Sequence, residues 1–196
     1  MKYKFILASS SPRRISMLQD LGIKFEVIVP NIYEVQHEQE DPKDFVLRLS
    51  KEKALDVLSK INEKATVLAA DTIVILGKTI LGKPGSEDEA KQMLEMLSGN
   101  IHKVATGFSI INETGTVLHQ EAVFTDVKFK NLAPNEIEGY IKTGEPMDKA
   151  GAYGIQGIGS FMVEEIRGSF TNVIGLPTSR VVDVLSELNL FKQNGN

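Results

Sequence analysis

Apolar and polar positions alternate along this chain in blocks that predict strands and helices in turn. The apolar run from Phe5 to Ala8 indicates a short strand, and apolar residues recur at helical spacing from Ile15 to Leu21. Between these blocks, Ser11 suits the N-cap of a helix and Pro12 its first position. The chain therefore opens with a strand, a tight loop and a helix.

The later blocks follow the same logic. The apolar run from Thr66 to Leu76 indicates a strand buried on both faces, and Gly77-Lys78 then suits a hairpin turn. Ser86 and Glu89 have the spacing of a capping box. We predict further strands at 25–29, 79–81, 102–112, 116–130, 161–166 and 171–174, and further helices at 42–61, 134–144 and 177–188.

Strands and helices interleave, and an antiparallel pair lies in the middle, so we predict an α/β fold with a mixed, twisted sheet flanked by helices. The 196 residues, 42 % of them hydrophobic, are enough for one domain with a sizeable core. We treat residues 1–196 as that domain, with 192–196 as a frayed tail. The glycine-rich segment 145–159 has no periodicity and predicts a long functional loop.

Composition excludes several classes of site. The chain has no cysteine, so disulfides, thiolate nucleophiles, iron–sulfur clusters and cysteine zinc sites are excluded. His37, His102 and His119 share no ligand spacing, which argues against a histidine metal site. There is no P-loop or dinucleotide glycine pattern. No leader or membrane-length apolar run is found, and we expect a soluble, cytoplasmic protein.

The net charge of −4 argues against a sequence-independent grip on nucleic acid. The basic residues near the N-terminus would therefore form a local site. The serines before Pro12, the backbone N–H groups of the first helical turn, and Arg13 and Arg14 would face one small volume that suits a phosphate or carboxylate. The alternative is a capped helix with two solvated arginines.

Asp71 interrupts an apolar strand, where a carboxylate is costly unless it is paired or liganded. Ligands gather at strand ends in open α/β sheets, so Asp71 is a candidate metal ligand or general base. The alternative is a carboxylate that ends one strand at a surface turn. Taken singly, Glu34 in the acidic loop, Lys53 and Lys83 are ordinary solvated side chains.

Taken together, these residues form a chemically coherent set. Asp71 and Glu34 supply the hard oxygen ligands that magnesium accepts. Positive charge is supplied by Arg13, Arg14, Lys53 and Lys83. Such a set fits a nucleotide polyphosphate with a divalent cation.

Several motifs extend this interpretation. The chain carries, in order, Ala8-Ser9-Ser10-Ser11-Pro12-Arg13-Arg14, Ala70-Asp71-Thr72, Gly82-Lys83-Pro84, Asp148-Lys149-Ala150-Gly151-Ala152-Tyr153-Gly154-Ile155-Gln156-Gly157 and Gly175-Leu176-Pro177. In order and rough spacing they resemble the Maf family of nucleoside triphosphate pyrophosphatases over nearly the whole chain. The Pro-Arg-Arg run and the Ala-Tyr-Gly-Ile-Gln-Gly loop resemble the corresponding segments of the family branch that hydrolyses dTTP and UTP. They are less similar to those of the branch that acts on 7-methyl-GTP.

The resemblance implies roles for individual residues. It implies that Asp71 accepts the proton of the attacking water. The implied specificity residues are Arg13, Thr72 and Gln156. The implied phosphate-binding residues are Ser9, Arg14, Lys53 and Lys83. Glu34 and Asp71 are the implied ligands of a divalent cation, Mg²⁺ or Mn²⁺.

The resemblance also implies cleavage between the α and β phosphates, which releases a nucleoside monophosphate and pyrophosphate, and a two-lobed fold with a cleft between the lobes. The expected partner is a nucleotide, not nucleic acid or a membrane, and a homodimer is left open. Alternatives are the same reaction on another or modified nucleotide, a nucleotide-binding regulator of cell division without turnover, and a small anion-binding module. Gln156 and Thr72 argue against the last, because phosphate capture needs neither an amide nor a long loop.

Overall fold

A computed structural model describes residues Lys4 to Leu190, so the predicted tail at 192–196 lies outside the described residues. The strands are β1 Lys4–Ala8, β2 Glu26–Ile28, β3 Ala65–Leu76, β4 Thr79–Leu81, β5 Ile101–Ile111, β6 Val117–Phe129 and β7 Val163–Arg167. The helices are α1 Pro12–Asp20, α2 Pro42–Ser59, α3 Glu87–Leu97, α4 Pro134–Ile141, α5 Phe170–Ile174 and α6 Thr178–Glu187. Between Lys4 and Leu190, no helix has both the length and the apolar character needed to cross a bilayer.

The strands form one mixed sheet in the order β2-β1-β3-β5-β6-β7, with β4 paired to β3. β1 lies parallel to both β2 and β3, and its last residue, Ala8, is opposite Ala69. The β3–β4 and β6–β7 pairs are antiparallel. The predicted α/β class with a mixed sheet is therefore confirmed.

The chain divides into two compact units. The first contains the residues up to Asp71, Thr106–Val123 and the residues from Gly175 onward, and the second contains Thr72–Ala105 and Phe124–Ile174. Strands β3, β5 and β6 contribute residues to both units. The chain leaves the first unit between Asp71 and Thr72, two neighbouring candidate site residues.

In the first unit, α2 packs against the strands. Its buried residues Ala54 and Val57 share a core cluster with Ile6 of β1 and Val67 of β3. A Cβ at Gly107 of β5 would lie 2.5 Å from the backbone oxygen of Val46 in α2. Only glycine therefore allows this close approach, which sets the distance from α2 to the sheet.

The second unit has its own core, and an aromatic group lies within it. The rings of His102, Phe129 and Tyr153 pack edge to face, with centroids 4.7–5.3 Å apart. His102 Nε2 and the Tyr153 hydroxyl form a 2.7 Å hydrogen bond. Burial lowers the pKa of His102 to about 4, so this ring packs as a neutral imidazole at neutral pH.

Helix caps follow the sequence with one variation. Ser86 Oγ accepts from the Glu89 amide at 3.2 Å, as a capping box requires, but the Glu89 carboxylate accepts from the Gly85 amide instead of the Ser86 amide. Ala133 has no side chain that can cap α4. Its own amide donates to the Glu136 carboxylate at 2.9 Å.

The strand predicted at 171–174 is wrong, because these residues belong to helix α5. The β-branched residues favoured a strand, but tertiary contacts decide the structure. Ser169 Oγ accepts from the Asn172 amide at 3.2 Å and so caps the turn. The buried Asn172 Nδ2 donates to the Val104 carbonyl at 3.1 Å and to Thr125 Oγ1 at 3.0 Å, which fixes the helical turn against its neighbours.

Candidate active site

Two buried polar residues of the first unit lie just beyond the last residues that pair between the parallel strands β1 and β3. Ser9 follows Ala8 at the end of β1, and Asp71 lies two residues beyond Ala69, the partner of Ala8 in β3. Their exposed fractions are only 3 % and 5 %. Because β1 and β3 are parallel, the register places both residues just beyond the carboxyl end of β1, and α/β proteins bind ligands outside the carboxyl ends of strands.

Lys53 supplies the charge that buried Asp71 needs. Its Nζ lies 2.6 Å from Asp71 Oδ1 and 2.6 Å from Glu34 Oε1. Lys53 is 6 % exposed, whereas the Glu34 side chain is 42 % exposed. One ammonium therefore bridges a buried carboxylate and an accessible one, and a buried charge is tolerated when it is paired in this way.

The periodicity of α2 turns Lys53 inward. Leu49 and Val57, four residues before and after it, are both buried. Residues four apart share a helix face, so Lys53 occupies the apolar stripe rather than the solvent face. The sequence contained this signal, which distinguishes Lys53 from an ordinary solvated lysine.

The loop that carries Glu34 is fastened to α2 by Arg48. The Arg48 guanidinium donates to both Glu40 oxygens, at 2.6 and 2.8 Å, and to the Val35 carbonyl at 2.9 Å. Hydrogen bonding to Arg48 lowers the pKa of Glu40 to about 2, and the same pairing raises the pKa of Arg48. Because Val35 is the next residue after Glu34, this fork fixes the backbone beside the site.

A second contact holds the other side of the same loop. The Asn31 amide donates to Asp56 Oδ2 at 2.8 Å, and Asp56 is also on α2. Glu34 therefore lies between two anchors on one helix. Arg48, Glu40 and Asp56 were not predicted from the sequence, because each resembles an ordinary surface charge until the loop is seen folded onto the helix.

The N-terminus of α1 brings arginine to the same unit. Ser11 caps the helix by accepting from the Arg14 amide at 3.5 Å, and Ser9 Oγ accepts from the Ser11 amide at 3.1 Å. Arg14 Nε donates to the Gly175 carbonyl at 2.7 Å. Burial lowers the pKa of Arg14, while the charges of Asp71 and Glu34 oppose that shift. Arg13 is half-buried beside it.

The other candidate residues belong to the second unit. Thr72 is half-buried and directly follows Asp71 along β3. Lys83 is exposed in the loop after β4, and the preceding residue, Gly82, accepts from the Gly151 amide at 2.9 Å. That bond joins the Lys83 loop to the glycine-rich segment. Gln156 is exposed on this segment, which forms short 3₁₀ turns at Glu145–Asp148, Ala150–Ala152 and Ile158–Met162.

Comparison with known proteins identifies the family of this chain. The family model described as Maf-like protein matches residues 4–188. The chain belongs to the Maf-like family. A dTTP/UTP pyrophosphatase of Clostridioides difficile is 48 % identical over 95 % of this Maf-like chain and 97 % of its own length. One from Syntrophus aciditrophicus is 45 % identical, over 98 % and 94 % of the two chains.

A solved structure titled nucleoside-triphosphatase / dITP/XTP pyrophosphatase, from Mycobacterium abscessus, aligns with 94 % of this Maf-like chain and 93 % of its own length. The sequence identity is 12 % and the TM-score is 0.45, so this likeness does not bear on function.

Within the first unit, charge interactions connect four of the predicted site residues. Lys53 contacts Asp71 and Glu34 directly, and Arg14 lies close enough for both carboxylates to act on its pKa. Ser9 lies at the neighbouring strand end. The result is a mixed site of cations and carboxylates, suited to a ligand that carries phosphate groups and a cation.

The Arg48 fork generates a pH-dependent prediction. The pKa of Glu40 is lower in the folded chain than its ordinary value of 4.5, so its stabilisation is complete above pH 4.5 and is lost as pH falls towards about 2. We expect Glu40→Gln to lower the free energy of unfolding by about 1–3 kcal/mol at neutral pH. This difference from wild type should shrink as the solution is acidified, in urea titrations at a series of pH values.

Glu52→Gln is the matched control, because it removes the other Arg48 partner, which is 3.2 Å away and 40 % exposed. It should cost less than Glu40→Gln. Equal costs for the two variants, or a Glu40→Gln cost independent of pH, would show that the fork does not hold the loop.

Proposed function

We propose that this Maf-like chain hydrolyses dTTP and UTP between the α and β phosphates, releasing a nucleoside monophosphate and pyrophosphate. The observation that carries the proposal is the Lys53 ammonium, 2.6 Å from both Asp71 and Glu34, beside a capped helix that carries two arginines. The names of the relatives, with identities of 44–48 %, support the same reaction and the same substrates.

Asp71 is proposed as the proton acceptor. The oxygen of a water molecule attacks the α phosphorus, and its proton passes to the Asp71 carboxylate. The bond from the α phosphorus to the bridging oxygen breaks, and pyrophosphate leaves with the bonding electrons. The buried position of Asp71 supports this role. A carboxylate that is only 5 % exposed is hydrated by few water molecules, so few others compete with the attacking water for its oxygens.

The phosphate groups are assigned to Ser9, Arg14, Lys53 and Lys83. Lys53 pairs with two carboxylates, and the phosphate oxygens of the substrate are alternative anions for it. Arg14 is fixed by its Nε bond to Gly175, which limits the freedom of its guanidinium. Cations held in place before the substrate arrives stabilise charge on the phosphoryl oxygens without having to reorganise.

The Maf-like family suggests a requirement for a divalent metal ion, and such an ion would need carboxylate or other oxygen ligands from this chain. Among residues 4–190 there is no group of three or more His, Asp or Glu side chains with metal-ligand geometry. Glu34 and Asp71 nevertheless offer two carboxylates that already share one cationic group. This fits Mg²⁺ or Mn²⁺, which bind with few carboxylates when substrate phosphates complete their coordination.

Glu34 and Asp71 would hold the ion. When bound, it would neutralise charge on the phosphates.

Base selection is assigned to Gln156, with Arg13 and Thr72. Uracil and thymine present a ring N–H donor between two carbonyl acceptors, and a glutamine amide can pair with one donor and one acceptor at once. Cytosine reverses part of that pattern. A fixed amide would then leave one buried group unpaired.

The proposed partner is a free nucleotide, not nucleic acid, in keeping with the net charge of −4. We also place the reaction in the cytoplasm, where nucleoside triphosphates are made and consumed. The homodimer stays a prediction.

Asp71→Asn tests the chemical step. It keeps the size of the side chain but removes the proton acceptor, so turnover of dTTP with Mg²⁺ should fall by about 10² or more. Steady-state pyrophosphate release and the thermal midpoint are measured together. Asp183→Asn, a 52 % exposed carboxylate of α6, is the control and should keep wild-type turnover. Near-normal rates in Asp71→Asn would remove Asp71 from the mechanism.

Gln156→Ala tests base selection. Loss of recognition should reduce the ratio of kcat/KM for UTP over CTP, by about tenfold or more if one unpaired group is relieved. A defect confined to loop structure should instead depress both values equally. A ratio that is unchanged while both rates fall would make Gln156 a structural residue.

A further inference from the structure

We propose that Glu145 is a positioning residue that fixes the loop bearing Gln156 and thereby sets base discrimination. The inference rests on the proposed function, in which Gln156 contacts the pyrimidine. Glu145 is the first residue of the glycine-rich segment 145–159 but lies outside the family motifs, and its carboxylate forms no ion pair with a lysine or arginine side chain among the contacts described in the second unit.

The two ends of the segment Gly154–Gly159 meet on one hydrogen-bonded pair of side chains. The Gly154 amide donates to the Tyr140 hydroxyl at 3.1 Å, and the Gly159 amide donates to Glu145 Oε1 at 3.2 Å. The Tyr140 hydroxyl in turn donates to the same Glu145 oxygen at 2.9 Å. The segment is therefore a closed loop, with Tyr140 and Glu145 at its neck.

The other Glu145 oxygen reaches further along the loop. Oε2 accepts from the Ile158 amide at 3.2 Å, so one carboxylate takes two successive backbone amides and a hydroxyl. A carboxylate suits this place because it is an acceptor at both oxygens. A glutamine would turn an NH₂ donor towards one of these donors.

Close packing at the neck explains the glycines. A Cβ on Gly159 would lie 2.5 Å from the Gly154 carbonyl oxygen and 2.7 Å from the Tyr140 hydroxyl. Gly157 has φ of +82°, and a Cβ there would lie 3.1 Å from Glu145 Oε2. The glycines thus let the loop close on the carboxylate, and they also make the backbone flexible unless something holds it.

Both residues of this clamp have further contacts that hold them in place. Tyr140 is 2 % exposed in the core of the second unit, and burial raises the pKa of its hydroxyl, which stays a donor. Lys149 Nζ donates to the Glu145 backbone carbonyl at 2.7 Å and so holds the turn from which the carboxylate projects. Core packing therefore fixes Tyr140, and the Lys149 hydrogen bond fixes the backbone of Glu145.

Gln156 lies at the exposed tip of the loop, between the clamped ends. An amide can reject cytosine only if it cannot turn to suit it, since a freely rotating loop would present donor or acceptor as required. Holding Gly154, Ile158 and Gly159 restricts that freedom before the nucleotide binds, which reduces the ordering cost of binding. Glu145 therefore acts on specificity through Gln156 without contacting the base.

The test compares Glu145→Ala and Glu145→Gln with wild type on UTP and CTP. In Glu145→Ala the ratio of kcat/KM for UTP over CTP should fall about tenfold, through a higher KM for UTP more than through kcat. Glu145→Gln keeps one acceptor oxygen, so its ratio should lie between the ratios of wild type and Glu145→Ala. Hydrogen exchange at the Ile158 and Gly159 amides should accelerate in the same order. Glu138→Ala, a 53 % exposed glutamate of α4, should leave ratio and exchange unchanged.

The outcomes separate the two hypotheses. If Gln156→Ala reduces the ratio and Glu145→Ala does not, base selection by Gln156 stands and the clamp is overturned, even when exchange accelerates. If Gln156→Ala leaves the ratio unchanged, both are overturned. If Glu145→Ala fails to fold, as judged by its thermal midpoint, Glu145→Gln decides: a reduced ratio supports the clamp and an unchanged ratio overturns it.

Discussion

The pairing of Lys53 with Asp71 is the interaction on which the candidate site depends. A carboxylate that is 5 % exposed and an ammonium that is 6 % exposed are tolerated in an apolar unit only because they neutralise each other across 2.6 Å. Such pairs add little to stability compared with well-packed apolar side chains, so their presence favours a chemical purpose. The second contact of Lys53, to Glu34, extends the pair from the core towards solvent.

The surrounding elements hold that charge in place. Gly107 lets α2 approach the sheet, the period of α2 directs Lys53 inward, and Arg48 and Asp56 fasten the Glu34 loop to the same helix. The second unit uses the same principle with different chemistry, because a carboxylate at Glu145 gathers backbone amides of a glycine-rich loop. In both units, an irregular segment that carries a candidate ligand residue is fixed by hydrogen bonds to charged side chains.

Much of this could be predicted from the sequence, because local patterns decide it. The apolar runs, the Ser11-Pro12 helix start and the Gly77-Lys78 turn each carry their own physical reason, and the structure follows them. The strand predicted at 171–174 is wrong because the contacts of Asn172 outweigh β propensity. Arg48, Glu40 and Glu145 were not found, because their roles depend on which backbone groups the folded loops bring to them. Lys53 could have been distinguished by its place in the apolar stripe.

The central claim, that the buried pair serves chemistry rather than stability, is tested most directly by replacing it with apolar side chains. Lys53→Met alone should lower the free energy of unfolding by about 3–5 kcal/mol, because it leaves Asp71 buried without its partner. The double variant Lys53→Met/Asp71→Leu should recover to within about 1 kcal/mol of wild type or exceed it, yet release no pyrophosphate from dTTP with Mg²⁺. A double variant that releases pyrophosphate at the wild-type rate would contradict the account.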